Sequence, residues 1–333
     1  MIKTGIIEGA GFTGGELIRL LLNHPDVDLR FVTSRAFVGR RIDEVHRGLY
    51  DETDLCFTFD EPLDRLDMLF LCTEWQGSQE FFATHELPEQ LKVVDMSRAY
   101  RLKDANDSAS SFVYGLPELN RRAICQARFV ANPGNFATGV LLGLLPLGRN
   151  LMLNGDIAVQ SIIGSTGTGE QSSTLTSFNW RSDNVSVYKP FVHQHLTEME
   201  AALRRQQSSF NSHILFVPCH GNFTRGIFTT IMLKNSVSLS ALEDLYEQYY
   251  EDEFIRANYY RSTDIGVSIA VTFANGETAF HAGDLNNWYF EDGENLKVSL
   301  DEMEGMYMSV VRMVRTNISH FNHVMLPIDP RLG

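Results

Sequence analysis

The first 35 residues contain the pattern that most constrains the fold. Residues 2–8, IKTGIIE, are rich in apolar side chains, as is typical of a buried strand. They are followed by GAGFTGGELIRLLLNHP, which passes from a glycine loop into a segment with helical spacing, and then by the strand-like DLRFVTSR. A strand, a glycine loop, a helix and a second strand form a βαβ unit, which requires a parallel sheet.

Two further apolar segments extend this pattern. LDMLFLC (66–72) and LKVVDMS (91–97) indicate buried strands, and helix-like sequence separates them. The sequence therefore predicts an α/β fold whose first domain, residues 1–134, is a Rossmann-type doubly wound parallel sheet that binds a dinucleotide.

The pattern changes after the first domain. HILFVPC, RGIFTTIMLKN and GVSIAVTFANGETAFHAGDL contain strand-like alternation, and the Asn-Gly pair in the last of them is a hairpin signal. We predict a second α+β domain with a mostly antiparallel sheet over residues 135–300. Met and Val at helical spacing predict a helical tail over 301–333 that packs back on the body.

The composition excludes some classes of partner. The net charge of −14, from 42 acidic and 28 basic residues among 333, opposes nucleic-acid binding. No apolar run is long enough to span a membrane, and the N-terminal segment lacks the features of a signal peptide. We therefore expect a cytoplasmic protein with no nucleic acid or membrane partner.

The cysteine and histidine spacings predict no metal site. Four cysteines are scattered without CxxC spacing, so we expect reduced thiols, three of them in the core (Cys56, Cys72 and Cys125). His193 and His195 are two residues apart, but the spacing supplies no third ligand.

The segment ANPGNFATG at 131–139 is a candidate anion site. Its Asn-Pro-Gly turn leads into an apolar helix at 136–149, and backbone N–H groups at a helix start stabilise a thiolate or an oxyanion. The residue at this point is Asn135, which can act as neither nucleophile nor base. We expect its amide to cap the helix.

Several motifs in the same order resemble one family. GAGFTGGELIRLLLNHP, VYGLPELNR, ANPGNFATGVLLGLLPL, STGTGEQ, VHQHLTEME and NFTRGIF are similar to the N-acetyl-γ-glutamyl-phosphate reductase family, of the aspartate-semialdehyde dehydrogenase-like superfamily. The resemblance implies a Rossmann domain and a second domain with the substrate site and oligomer contacts. It also implies NADPH-dependent reduction of an acyl phosphate to an aldehyde, in arginine biosynthesis.

The resemblance also implies catalytic positions that this chain has changed. In the family reaction a Cys thiolate forms a thioester, NADPH reduces it, and a His transfers protons. The thiolate belongs at position 135 and the His directly after Pro218, where this chain has Asn135 and Cys219. Cys219 is either a relocated nucleophile or a small side chain that fills the space of the lost His. His220 follows it and should point to the opposite face of a strand.

The cofactor positions implied by the resemblance are partly kept. The predicted NADP(H) contacts are Gly11, Phe12, Thr13, Gly14, Ser34 and Arg35, of which the last two suit a 2′-phosphate. Glu8 occupies the first glycine position of the loop, and Trp75 adds bulk beside the expected nicotinamide path. We expect both to weaken NADP(H) binding.

The substrate residues implied by the resemblance form a basic, donor-rich pocket. They are Arg101, Ser165, Gly167, His195 and Arg225, and their ligand would be a small phosphorylated acyl-amino acid. The expected assembly is a homodimer or homotetramer, or a hetero-oligomer with an active paralogue.

Three functional hypotheses follow. The chain is a reductase that works with altered residues, a catalytically silent homologue or partner subunit of an active reductase, or a non-redox enzyme that uses the same acyl-phosphate pocket. The missing thiolate weighs against the first, because removal of a covalent nucleophile costs many orders of magnitude in rate.

Overall fold

The structure is a computed structural model. It describes residues 1–102, 111–168, 177–234 and 237–250, together with the backbone of three strands at 269–272, 278–281 and 323–325. The chain divides into two compact units, Met1–Asn235 and Ser236–Gly333.

The N-terminal half of the first unit is a seven-stranded parallel sheet with helices. Its strands are β1 (Ile2–Ile7), β2 (Val27–Thr33), β3 (Phe57–Thr58), β4 (Met68–Leu71), β5 (Lys92–Asp95), β6 (Phe112–Tyr114) and β7 (Phe129–Ala131). Its helices are α1 (Phe12–Leu22), α2 (Ile42–Val45), α3 (Trp75–Thr84) and α4 (Pro117–Gln126). The strand order is β3-β2-β1-β4-β5-β7-β6, and every pairing is parallel, which confirms the predicted Rossmann-type sheet.

The strand order reverses between β1 and β4. In sheets of this kind, ligands bind in the crevice outside the carboxyl ends of the strands at such a point. α1 begins directly above it and buries Leu17, Ile18 and Leu21. The helix approaches the loop so closely that a Cβ on Gly14 would collide with the carbonyl oxygen of Gly9. Gly14 therefore lets the start of α1 pack directly against the glycine loop.

A second, mixed sheet follows in the same unit. Its strands are β8 (Ile157–Ile163), β9 (Ser186–Val187), β10 (Ile214–His220) and β11 (Ile227–Met232), and its helices are α5 (Asn135–Arg149), α6 (Phe178–Arg181) and α7 (His195–Gln206). The order is β11-β8-β10-β9, with β8 and β10 parallel and the two outer pairings antiparallel. α5 packs on β11 and α7, and α7 also packs on β10.

The second unit contains α8 (Leu239–Tyr250) and a three-stranded sheet. β12 (Ile269–Thr272) pairs antiparallel with β13 (Thr278–His281), as the Asn-Gly signal predicts, although the connection lies outside the described residues. β13 pairs parallel with β14 (His323–Met325). These three residues of the predicted helical tail are therefore a strand, and the rest of the tail lies outside the described residues. The domain boundaries stay a prediction.

The prediction that Cys56 and Cys125 lie in the core is wrong, because both are exposed. Cys56 immediately precedes β3, where Phe57 is buried, so the alternation of the extended chain turns Cys56 outward. Cys125 lies in the last turn of α4, a helix without a buried residue. Cys72 is partly buried, and burial raises the pKa of its thiol to about 12.

Candidate functional site

A cavity of about 510 Å³ lies where α5 begins, and we call it the α5 cavity. It brings together five of the predicted site residues from distant parts of the chain, and Thr13 of the predicted cofactor loop also lines it. The five are Arg101, Asn135, Gly167, His195 and His220. No Asp or Glu lines it within the part of the chain that the structure describes.

Asn135 is the first residue of α5, and Gly134 is the N-cap residue. Asn135 is therefore not the N-cap residue, although its amide does accept a hydrogen bond from one of the first N–H groups of the helix, as predicted. The Asn135 Oδ1 accepts one hydrogen bond, from the backbone N–H of Phe136 at 2.8 Å. Its Nδ2 has no hydrogen-bond partner among the described residues, and the side chain is exposed. The amide thus turns its acceptor to the backbone and leaves its donors free.

A buried carboxylate fixes the start of α5. Glu198 in α7 is 4% exposed and accepts hydrogen bonds from the Gly134 N–H at 2.7 Å and the Tyr114 hydroxyl at 2.8 Å. It also pairs with Nη1 of Arg101 at 3.4 Å, and the Arg101 Nε donates to the Asn132 carbonyl at 2.8 Å. These contacts hold the Arg101 guanidinium in one place against the cavity.

Three buried histidines line the cavity and are neutral at pH 7. Burial lowers the pKa of His195 to about 3, with further lowering by His193 and Arg101, and the pKa of His193 to about 4. Burial, followed by the charge of Arg181, lowers the pKa of His220 to about 4. The backbone N–H of His195 donates to Nδ1 of His193 at 3.1 Å.

β10 turns its last two side chains in different directions. The His220 ring lines the cavity and stacks on Tyr188, with the ring centroids 3.8 Å apart and the planes at 11°. Cys219 is buried and is not part of the cavity lining. The structure therefore does not bring the Cys219 thiol to Asn135, which favours the interpretation that it fills space.

A second cavity, of about 470 Å³, lies at the carboxyl ends of β1 and β4, and we call it the β1–β4 crevice. This is the place where a doubly wound sheet binds a dinucleotide. Four carboxylates line it, against one arginine and one histidine: Glu8, Glu61, Glu74, Glu80, Arg35 and His85. Its position suits a dinucleotide, but its charge does not fit a ligand with several phosphates.

Glu8 explains much of this misfit. Its φ of 54° lies in the left-handed region that favours glycine, in a loop position where a glycine has no steric cost. Its carboxylate lies 3.6 Å from the Arg35 Nε and accepts the Arg35 backbone N–H at 3.4 Å. Arg35, which the resemblance predicts to contact a 2′-phosphate, thus has a carboxylate of the same chain beside it.

The other residues predicted to affect cofactor binding differ in how accessible they are to a ligand. Gly11 is the N-cap of α1 and has open space beside it, so the N–H groups of the first turn remain accessible. Phe12 is exposed, whereas Ser34 is buried and donates its N–H to the Thr58 carbonyl. Trp75 begins α3 outside the crevice lining, with the Arg98 guanidinium 5.5 Å from its ring centroid.

Comparisons with known proteins agree with this architecture. Residues 3–127 match the semialdehyde dehydrogenase NAD binding domain, and residues 136–265 match the semialdehyde dehydrogenase dimerisation domain. The chain is 52% identical over 256 residues to an N-acetyl-γ-glutamyl-phosphate reductase of Phocaeicola vulgatus. The matched region covers 77% of this chain and 79% of that protein. The chain belongs to the N-acetyl-γ-glutamyl-phosphate reductase family.

Further relatives support the family and the fold. A Parabacteroides distasonis N-acetyl-γ-glutamyl-phosphate reductase is 52% identical over 252 residues, covering 76% of this chain and 77% of that protein. The structure of aspartate semialdehyde dehydrogenase II from Vibrio cholerae, complexed with ASA, has a TM-score of 0.60 at 14% identity and covers 80% of this chain and 82% of that one. At that identity it supports the fold alone.

Two predicted substrate residues of this family member lie outside the α5 cavity. Arg225 pairs with Glu16 of α1, with nitrogen–oxygen distances of 2.6 and 2.7 Å, and is largely exposed. The Ser165 N–H donates to the Phe223 carbonyl, and this residue is not in the lining. Their roles in substrate binding stay predictions.

Three residues around the cavity were missed by the sequence analysis. Tyr188 and Lys189 line it from the segment after β9, and no local pattern marks them. Glu198 lies three residues after His195 on α7, so helical spacing could have pointed to it.

Within the described chain, no group of three His, Cys, Asp or Glu side chains could hold a metal ion. Nor is any described helix long and apolar enough to cross a membrane.

Proposed function

We propose that this member of the reductase family binds a small phosphorylated N-acyl amino acid in the α5 cavity and does not perform the thioester-forming reduction. One observation carries the proposal: Asn135 occupies the helix start where the family resemblance implies the thiolate, and no cysteine lines the described part of the cavity. An amide cannot form the covalent intermediate. Loss of such a nucleophile lowers the rate on the order of 10⁴- to 10⁶-fold.

The charge of the cavity supports the ligand class. Arg101 and Lys189 supply two cations, and the positive end of the helix dipole at the start of α5 favours an anion. The relatives are named for N-acetyl-γ-glutamyl phosphate, which carries an acyl phosphate and a carboxylate. A cavity with two cations and no acid in its described lining suits both groups of such a ligand.

NADP(H) affinity in this chain is lower than in a protein with glycine at position 8. The Glu8 carboxylate faces the region of the pyrophosphate and holds Arg35, and three more glutamates line the same crevice. Trp75 contributes less, because its ring lies by Arg98 and outside the crevice lining.

The exposed face of the second sheet is the contact between two copies of the chain. Four of its apolar side chains are exposed, namely Val187, Leu215, Phe228 and Met232, and this region matches the dimerisation domain of the family. Phe228→Glu should convert a dimer to monomer in sedimentation velocity, whereas Tyr50→Glu, at an exposed residue of the other sheet's domain, should not. A Phe228→Glu protein that stays dimeric would contradict this assignment.

The experiment for the main proposal separates binding from reduction. Purified protein is mixed with N-acetyl-γ-glutamyl phosphate and NADPH, and NADPH absorbance is followed; we expect no loss beyond the protein-free rate. Calorimetry with N-acetyl-L-glutamate and with inorganic phosphate should detect binding to the same preparation, and Arg101→Gln should abolish it. Robust NADPH oxidation, or no binding of either probe, would overturn the proposal.

A further inference from the structure

We propose that the α5 cavity hydrolyses acyl phosphates, with the Asn135 amide and the His220 imidazole as hydrogen-bond donors to the acyl oxygen. The inference rests on the proposed function, because it uses the same cavity and the same class of ligand. It requires no dinucleotide and no thiol.

The orientation of Asn135 supports its role as a donor. Its Oδ1 is occupied by the Phe136 N–H, so the Nδ2 hydrogens point away from the helix backbone. They have no partner among the described residues, and they lie beside the Asn135 backbone N–H at the first position of α5. A side-chain amide next to a helix start is a suitable donor set for an oxyanion.

His220 supplies the second donor. Its Nδ1 is buried without a hydrogen-bond partner, although the ring lines the cavity, so the Nε2 edge is the one that reaches the ligand. We assign the proton of the neutral ring to Nε2, since a buried N–H without a partner is rare in folded proteins. Stacking on Tyr188 holds the ring in place, and its pKa of about 4 keeps it neutral at pH 7.

The two cations of the cavity hold the phosphoryl group. The Arg101 guanidinium is fixed by Asn132 and Glu198, whereas Lys189 has no ion pair with any carboxylate that the structure describes. Lys189 is exposed at the rim and is the more adaptable of the two. Binding the phosphoryl group between them directs the acyl carbonyl toward the helix start.

The reaction balances without a further reactant. The oxygen of a water molecule attacks the acyl carbon, and the carbonyl electron pair moves to the oxygen that Asn135 and His220 stabilise. The oxyanion electron pair then re-forms the carbonyl, the bond between the acyl carbon and the bridging oxygen breaks, and phosphate leaves with the electron pair of that bond and a proton of the water. The products are a carboxylic acid, which ionises, and inorganic phosphate. No group is oxidised or reduced.

The test measures inorganic phosphate released from acetyl phosphate and from N-acetyl-γ-glutamyl phosphate without NADPH. Asn135→Ala, Asn135→Asp and His220→Phe should each lower the enzymatic rate about 10²-fold, the typical effect of removing one oxyanion donor. Asn154→Asp and His213→Phe change exposed residues outside the cavity lining and should leave the rate unchanged. Circular dichroism verifies that every variant is folded.

The outcomes separate this inference from the proposed function. If N-acetyl-L-glutamate binds but phosphate release equals the protein-free rate, hydrolysis is refuted and the proposed function stands. If neither probe binds and no phosphate is released, both fail. A loss in the Asp variant without a loss in the Ala variant would attribute the effect to charge and refute the donor role of Asn135.

Discussion

The α5 cavity and the β1–β4 crevice are nearly equal in size and opposite in charge. The α5 cavity, of about 510 Å³, has Arg101 and Lys189 and no acid in its described lining, whereas the β1–β4 crevice, of about 470 Å³, has four glutamates against Arg35 and His85. Each lies at the start of a helix that follows a parallel strand, α5 after β7 and α3 after β4. The backbone favours an anion at both places, so the side chains alone make the difference.

The substituted residues act differently in the two cavities. Under the proposed function, Asn135 stands in the place of a reactive thiol, and its neutral amide leaves the attraction of the α5 cavity for an anion intact. Glu8 adds a negative charge beside Arg35, and we propose that the crevice thereby loses part of its attraction for phosphate groups. Under the proposed function, binding of the acyl phosphate and binding of the dinucleotide therefore depend on separate substitutions.

The largest expected effect comes from changing Asn135 and Glu8 together to the residues that the family resemblance implies. Asn135→Cys with Glu8→Gly should oxidise NADPH in the presence of N-acetyl-γ-glutamyl phosphate, on the order of 10⁴-fold faster than the unmodified protein. The start of α5 would lower the pKa of the new thiol. NADPH absorbance measures the rate, and Asn135→Ser with Glu8→Gly is the control. No gain in the Cys variant would show that other residues also separate this chain from an active reductase.

The next largest effect is a loss of stability when a buried carboxylate of α7 is removed. Glu198→Ala should lower the free energy of unfolding by about 3–5 kcal/mol in urea, because it leaves the buried Arg101 charge and the Gly134 N–H without their acceptor. Glu200→Ala, on the same helix, removes a partly exposed pair with Arg204 and should cost at most about 1 kcal/mol. Equal losses in the two variants would contradict the positioning role of Glu198.

A smaller effect is expected in the crevice. Glu8→Gly should tighten NADPH binding roughly tenfold in calorimetry, equivalent to about 1.4 kcal/mol, because it removes a negative charge and frees Arg35. Glu8→Gln separates the charge from the backbone effect and should recover part of the gain. Glu52→Gln, outside the crevice lining, is the control. Unchanged affinity in the Gly variant would mean that Glu8 does not limit binding.

A separate effect is a pH dependence of stability that arises from the α5 cavity. His193, His195 and His220 have folded-state pKa values of about 3 to 4, below the ordinary value of 6.5, so the unfolded chain binds more protons between about pH 6.5 and pH 4. Stability should fall as the pH drops through this window. Urea midpoints at pH 7 and pH 5 measure the fall, and it should be shallower in His220→Phe. An identical fall in that variant would exclude a contribution from His220.

The local patterns of the sequence predicted the sheet and the helix starts well. The strands at 2–8, 66–72 and 91–97 contain β1, β4 and β5, and the Asn-Pro-Gly turn leads into α5 within one residue of the expected start. These features depend on periodicity and turn residues over short stretches, which the sequence displays directly.

The site was predicted in part. Arg101, Asn135, Gly167, His195 and His220 do line one cavity, but Arg225 pairs with Glu16, and Lys189 and Glu198 were missed. A motif places a residue near a site without specifying its partner. The partner depends on side chains from other elements, which a local pattern does not contain.

The sequence by itself determined the βαβ unit, the helix start at Asn135 and the substitution at position 8, because each is a property of a few consecutive residues. Only the tertiary structure decided the charge of each cavity. Arg101 meets Glu198 across 97 positions of sequence, and Arg35 meets Glu8 across 27. Electrostatic energy depends on distances between atoms in space, so the charge of each cavity depends on which side chains the fold brings together there.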